Sequence, residues 1–242
     1  MAQQIGANGY TATVSILITR AVQQSDNTCN DAVLRRAGGP EAVRAFLRDK
    51  GIEGIRFGPG ERLLQSAIAG MEWKQSYAVN RGFEAARASV PAGVRRAAFE
   101  RYVANPMDGA TPRGIVQALA RLKRGELLSP ASTQKLLSIM ANTRTGPQRL
   151  KGGLEPGWRL SHKTGTGQIY GGVQAGYNDI GIVTTPDGHT YAVAVLIRKT
   201  AAPNIQRMAT MQNTVRAVIS YHQTVSGYRG GDYSTAGMSG RK

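Results

Sequence analysis

The chain has 242 residues, 41% of them hydrophobic, with 30 glycines, enough for one substantial buried core. Its longest apolar runs, such as 191–197, fall far short of the roughly 20 residues of a helical membrane span, and a single cysteine, Cys29, excludes an internal disulfide and cannot assemble a metal site by itself. The 31 Lys+Arg against 15 Asp+Glu give a net charge of +16, which attracts carboxylates, anionic wall polymer or nucleic acid, but the basic residues between Arg62 and Arg149 are spread along amphipathic stretches with no recognisable binding motif, the pattern of a solvated face and not of a nucleic-acid groove.

Met1 to Gly6 has neither a basic n-region nor an apolar h-region, so no export signal is read there, and residues 1–10 are expected to form a disordered stub. Thr11 or Thr13 is placed to cap a helix carrying Val14, Ile16, Leu17, Ile18, Ala21 and Val22, apolar around much of its circumference and in need of burial on several sides. The polar knot 23–27 ends it. A second helix is predicted from Asn30 to Gly38-Gly39, and a third opens on Pro40 and closes at Gly51. Over 53–110 the periodicity weakens: Gly58-Pro59-Gly60 is a turn, Pro91 starts a basic amphipathic helix through Val103, and the stretch reads as a long loop with helical inserts. Thr111-Pro112 and Ser129-Pro130 each pair a capping hydroxyl with a first-turn proline, ahead of helical periodicity over 115–122 and 136–140. After Gly157 the period changes to strands over 158–164, 173–184 and 190–199, the last two joined by the turn Pro186-Asp187-Gly188, which together predict an antiparallel meander. Ile205, Met208, Val215, Ile219 and His222 recur at helical spacing, so a closing amphipathic helix is expected on that sheet, and residues 226–242 are expected to be a disordered tail.

Three polar signals carry chemistry. Lys163-Thr164-Gly165-Thr166-Gly167 lies on a predicted strand, where small residues let an extended substrate approach the backbone N–H groups and the threonines and lysine offer hydrogen bonds and charge to a carboxylate; glycine-rich strand ends also occur for purely structural reasons. Ser25-Asp26-Asn27 lies between helices, where Ser, Asp and Asn ordinarily serve as caps. Glu61 follows the Gly-Pro-Gly turn, with Gln65 at the fourth position after it. A loop carboxylate is ordinarily just solvated, whereas one held beside an amide is able to position and deprotonate a water.

S-D-N and K-T-G are two of the three signatures of class A β-lactamases and penicillin-binding proteins, the third being an S-x-x-K that carries the nucleophile. With Glu61 between them, they make the chain resemble a class A β-lactamase from about Thr11 to about Thr224. Ser25-Asp26-Asn27-Thr28-Cys29-Asn30, the Gly38-Gly39-Pro40-Glu41 break, Thr111-Pro112, Arg124-Gly125-Glu126-Leu127-Leu128-Ser129, and Gly157-Trp158 leading into His162-Lys163-Thr164-Gly165 support it. The resemblance implies an α/β fold of the α+β type, β-lactamase/transpeptidase-like: an antiparallel sheet with flanking helices plus a helical region. One domain over 11–225 would hold a helical part at 11–150 and the sheet with its closing helix at 155–225. It implies Ser25 as proton-shuttling serine, Asn27 as the amide holding the acyl side chain, Lys163 as the lysine beside the nucleophile, and Thr164 and Thr166 as carboxylate-binding positions. Gly165 leaves the substrate room, and the Thr166 N–H forms half of the oxyanion hole. Glu61 is then the base for the hydrolytic water, with Gln65 where the family commonly has Asn. Asn178-Asp179-Ile180-Gly181 resembles a subgroup without the arginine that many relatives carry on that strand, so carboxylate recognition is expected to be compensated elsewhere. The implied partner is a small-molecule β-lactam, with no cofactor, metal or nucleic acid, and the implied enzyme is a periplasmic or secreted monomer.

The S-x-x-K is out of place. Ser132-Thr133-Gln134-Lys135 and Ser239-Gly240-Arg241-Lys242 are the two strings that match, both after S-D-N, and 24 residues precede Ser25. The expectation is an N-terminally truncated chain, lacking the nucleophile helix and the N-terminal strands, that does not turn over by itself and exposes the edge of the 190–199 strand and the apolar flank of the first helix. The alternatives are a penicillin-binding D,D-peptidase relative, which needs no deacylating glutamate, and a non-catalytic module binding anionic cell-wall polymer.

Overall fold

The computed structural model describes residue 5 and residues 9–79 and 81–227. Most of the expected N-terminal stub, nearly all of the expected tail, and the string Ser239 to Lys242 lie outside the described residues. Thr13 caps α1 (Val14–Gln23) by accepting from the Ile16 amide at 3.3 Å. Asp26 caps α2 (Asn27–Arg36) by accepting from the Cys29 amide at 3.0 Å, so this helix begins at Asn27 and not at Asn30 as expected. The third helix, α3 (Gly39–Asp49), has Pro40 in its first turn.

The stretch over 53–110 is not a long loop. It is a mostly helical excursion, closed at its neck where β1 (Ile55–Arg56) pairs antiparallel with β2 (Gly109–Ala110). Between the two strands stand α4 (Glu61–Ile68), a 3-10 turn over Gln75–Ala78, α5 (Gly82–Ser89) and α6 (Ala92–Ala104), the last of these close to its predicted bounds. The fourth helix escapes local reading because its N-cap is Gly60, which has no side chain to accept a bond; its cap comes from another helix, as described below. Thr111 and Ser129 then cap α7 (Pro112–Lys123) and α8 (Pro130–Ala141), as their Thr-Pro and Ser-Pro pairs predict.

β3 (Arg159–Thr166) leads into a small hairpin of β4 (Ile169–Tyr170) and β5 (Val173–Gln174), followed by β6 (Tyr177–Thr184) and β7 (Thr190–Ile197). The main sheet has the antiparallel order β3-β6-β7, the meander the sequence predicts. The second predicted strand is shorter than expected, because Gly176, with φ +97°, turns the chain between Gln174 and Tyr177. One face of the sheet packs against α9 (Asn204–Ser226): Leu160, Val183 and Val193 meet Met211, Val215 and Ile219. The other face packs Ile182 against Leu119 of α7 and Met140 of α8. Ile205, expected on the buried stripe of the closing helix, is 70% exposed, and Met211, two turns further in, is fully buried in its stead. Val14 and Ile16 on α1 are exposed, and no strand covers the outer edge of β7 among the described residues. No helix among those residues is long and apolar enough to cross a membrane.

Candidate active site

The S-D-N turn joins α1 to α2. Ser25 adopts φ +55°, a left-handed conformation uncommon outside glycine. It is enforced from both sides: the Gln24 and Asp26 amides donate to the Arg20 carbonyl at 3.0 and 3.3 Å, and the Asp26 side chain is committed to capping α2. The turn brings the Ser25 hydroxyl to β3, where the Lys163 ammonium donates to it and also to the Thr164 carbonyl at 2.6 Å. Two motifs separated by 138 positions therefore meet. Burial lowers the Lys163 pKa and the Arg149 guanidinium lowers it further, against the opposing carboxylates of Glu61 and Asp179. An ammonium made more acidic and placed on a hydroxyl is equipped to pass protons through it.

Glu61 is not in a loop but in the first turn of α4. The two carboxylate oxygens of Asp31, a buried residue of α2, accept from the Glu61 and Arg62 amides at 2.8 and 2.9 Å, so the helix that follows S-D-N caps the helix that carries the glutamate. The sequence shows no signal for this pairing, because capping is normally read from neighbouring residues and Asp31 lies 30 positions away. Asp31→Ala is expected to cost about 2 kcal/mol, read as a lower denaturation midpoint together with faster exchange of the Glu61 to Leu64 amides; unchanged exchange there contradicts the assignment. Gln65 donates to Glu61 Oε2 at 3.3 Å, and Gln168, from the loop after β3, donates to the Gln65 backbone carbonyl and to its Oε1, both at 2.9 Å. Burial pushes the Glu61 carboxyl up, nearby Asp31 and Asp108 reinforce this, and Gln65 and Lys163 oppose it. Glu61 also borders a cleft of about 920 Å³ whose walls include Tyr102, Asp108, Asn178 and Arg198 but neither Ser25 nor Lys163.

Along β3, the buried Thr164 hydroxyl is shared with Thr145 at 2.6 Å, while Thr166 is exposed. Arg149 was not singled out from the sequence. Its guanidinium is buried over the Tyr177 ring, 3.8 Å from the centroid, and donates to the carbonyls of Gly165 at 3.0 Å and Asn178 at 2.7 Å and to the Thr166 hydroxyl at 2.5 Å. A buried positive charge therefore stands beside the Thr166 end of β3 and the Asn178 carbonyl. Gly146 makes the approach possible: its φ is +63°, and a Cβ there would stand 2.7 Å from the Thr164 methyl and 2.9 Å from Arg149 Cδ. Gly165 faces Asn178 without crowding it. Asn27 is exposed at the start of α2 and is not drawn into this network. Ser132 stands at the N-terminus of α8, its amide and hydroxyl both bonded to the Ser129 hydroxyl. The far end of that helix touches β3, through the Thr143 hydroxyl on the His162 carbonyl. The stretch of helix from Ser132 to Ala141, on the order of 14 Å long, separates Ser132 from that end.

A helical layer and an antiparallel sheet that bring a serine turn, a lysine strand and a glutamate helix together form the architecture of class A β-lactamases. Residues 3–222 match the model of the Beta-lactamase enzyme family, and the chain belongs to that family. It is 27% identical over 192 residues to Beta-lactamase VEB-1 of Pseudomonas aeruginosa, covering 78% of this chain and 53% of that protein. Among solved structures it superposes on TLA-3 extended-spectrum beta-lactamase with a TM-score of 0.70 at 28% identity, over 88% of this chain and 66% of that one. An ancestral class A beta-lactamase gives 0.62 at 28% identity, over 89% and 67%. The chain spans about half the length of the curated relatives it matches.

Proposed function

We propose that the chain supplies the recognition, proton-relay and deacylation side of a class A β-lactamase site, in which a serine opens a β-lactam amide and water releases the acyl-serine. The observation that carries this is the Lys163 ammonium seated on the Ser25 hydroxyl, with Glu61 close enough to bias the lysine electrostatically. In this reading Ser25 hands its proton to the lactam nitrogen as the C–N bond breaks and is resupplied through Lys163. The substrate carboxylate lies against Thr166 and Arg149, with Thr164 behind them; Gly165 leaves room for it, and the Thr166 N–H faces the carbonyl oxygen. Asn27, at the open end, receives the acyl side chain. Glu61 takes a proton from the water that attacks the ester. The attacking serine comes from the S-x-x-K helix of the family, placed within reach of Ser25, Lys163 and Glu61. Residues 11–225 then work as one domain, as a monomer, in the periplasm or outside the cell.

The test is to join the chain to a family helix bearing S-x-x-K and to follow a chromogenic cephalosporin. Turnover is expected to appear on joining and to fall by about a hundredfold or more in Lys163→Ala. A joined protein that stays inert, or one whose turnover ignores Lys163, sinks the reading.

A further inference from the structure

The turn between β6 and β7 gathers chemistry that acyl transfer does not use. Asp187 lies in the turn, His189 follows it just before β7, and His222 projects from α9 beneath them, so two of the chain's three histidines converge on one carboxylate. His189 Nδ1 is 3.1 Å from Asp187 Oδ2 and His222 Nε2 is 3.3 Å from Asp187 Oδ1, and one donor atom from each residue lies within 4.8 Å of the other two. A tetrahedral shell with metal–ligand bonds of about 2.0–2.1 Å places its donors about 3.3 Å apart. Both imidazole–carboxylate contacts are close to that size, each to a different oxygen of Asp187.

The second observation is the pose of His222. It is 1% exposed, its ring edge packs on Trp158 at 5.5 Å, and its Nδ1 is held by the Tyr191 hydroxyl at 3.0 Å while its Nε2 points at the carboxylate. In the tautomer that donates Nδ1–H to Tyr191, the Nε2 lone pair is directed at the cluster, the outer-partner arrangement of metal-ligating histidines. The His189 side chain is 66% exposed, which leaves an entry path and room for a water as fourth ligand.

We propose that Asp187, His189 and His222 form a binding site for a divalent transition metal of the Zn2+ class, separate from the acyl-transfer pocket. Two imidazoles and one carboxylate suit Zn2+ and its neighbours, whereas Mg2+ and Ca2+ favour all-oxygen shells. The site is remote from the pocket: Ile180 pairs with Lys163, and Thr184 lies four residues, about 13 Å, further along β6. Asp187 follows beyond that. A bound ion clips the β6–β7 turn to the closing helix, so its effect is on the stability of the sheet and not on the reacting groups.

The experiment uses the untagged full chain with Zn2+ alone at neutral pH. Equilibrium dialysis is expected to give one Zn2+ per chain, zinc is expected to raise the melting temperature, and Co2+ in its place is expected to show the intense visible absorption of a tetrahedral site. His189→Ala removes the exposed ligand without opening the core; it should weaken Zn2+ binding about tenfold or more while leaving the zinc-free melting temperature unchanged. Cys29→Ser should retain full binding. No zinc bound at all, binding that His189→Ala leaves intact, binding lost with Cys29, or equal competition by Mg2+ each overturns the proposal.

Discussion

Asp179→Ala is expected to be among the most damaging single substitutions in the sheet, lowering stability by about 2–6 kcal/mol. The side chain lies on β6, is fully buried, and accepts from His162 Nδ1 at 2.9 and 3.1 Å and from the Leu150 amide at 3.2 Å. Alanine leaves both donors in a dry interior with no partner, at about 1–3 kcal/mol each. Water cannot readily repair the loss, because His162 is 1% exposed and its Nε2 already has no hydrogen-bond partner among the described residues. Near the middle of this range, and at about 2–4 °C per kcal/mol for a chain of this size, the melting temperature falls by roughly 10–15 °C. Asp179→Asn keeps an acceptor oxygen and is expected to recover much of the loss. Thermal unfolding of the two variants side by side decides it: an alanine variant within about 1 kcal/mol of the parent shows that the pair is not what holds β3 on β6. The site feels the change as well. Asp179 stands opposite Thr164 in the ladder and helps keep Lys163 charged, so removing it lowers the lysine pKa further.

How much of this was legible before the structure depends on whether the information was local. Helices opened by Thr13, Thr111 and Ser129 announce themselves, because each cap bonds an amide three residues on; Asp26 does the same for the second helix, whose start was placed three residues late. The meander was legible from its period and from the Pro-Asp-Gly turn. S-D-N and K-T-G were legible as strings, and the Ser25–Lys163 contact followed from taking them as one site. What was hidden is carried by long-range pairs. The helix under Glu61 takes its cap from Asp31 across 30 positions, and its own Gly60 gives no hint, so a helix was read as loop. Arg149 looked like one more surface cation in a strongly basic chain; only the packing of Tyr177 and Thr166 around it separates it from the rest. Asp187 and His222 were read as part of a turn and of a helix face and His189 was not singled out, and nothing in a turn signal says that a residue 33 positions beyond His189 will present an imidazole to it.

Glu61→Gln is expected to separate the chemistry of the site from its stability. In a chain joined to the S-x-x-K helix, hydrolysis should fall by about 10²–10⁴-fold while acylation persists, so that intact-mass measurement finds the acyl adduct accumulating. A D,D-peptidase relative would show no such change, because its chemistry needs no deacylating glutamate. The same substitution in the chain as it stands should raise the melting temperature at pH 7. The Glu61 carboxyl is pushed up first by burial and then by Asp31 and Asp108, so between its unfolded and folded pKa the native state holds the extra proton. Stability then decreases as pH rises through that window, and at neutral pH the fold is less stable than it would be with a neutral side chain at this position. Glutamine keeps the amide-sized shape and removes the charge. Below pH of about 4 the glutamate is protonated in both states and the two proteins should converge. A variant that melts lower than the parent at pH 7 would mean that attraction to Lys163 outweighs the burial, which makes Glu61 a structural counter-ion and leaves the site without its base. In the proposed reading, a glutamate kept at a cost to the fold, beside an amide that orients it and a lysine that does not fully neutralise it, has its explanation in the water it is there to deprotonate.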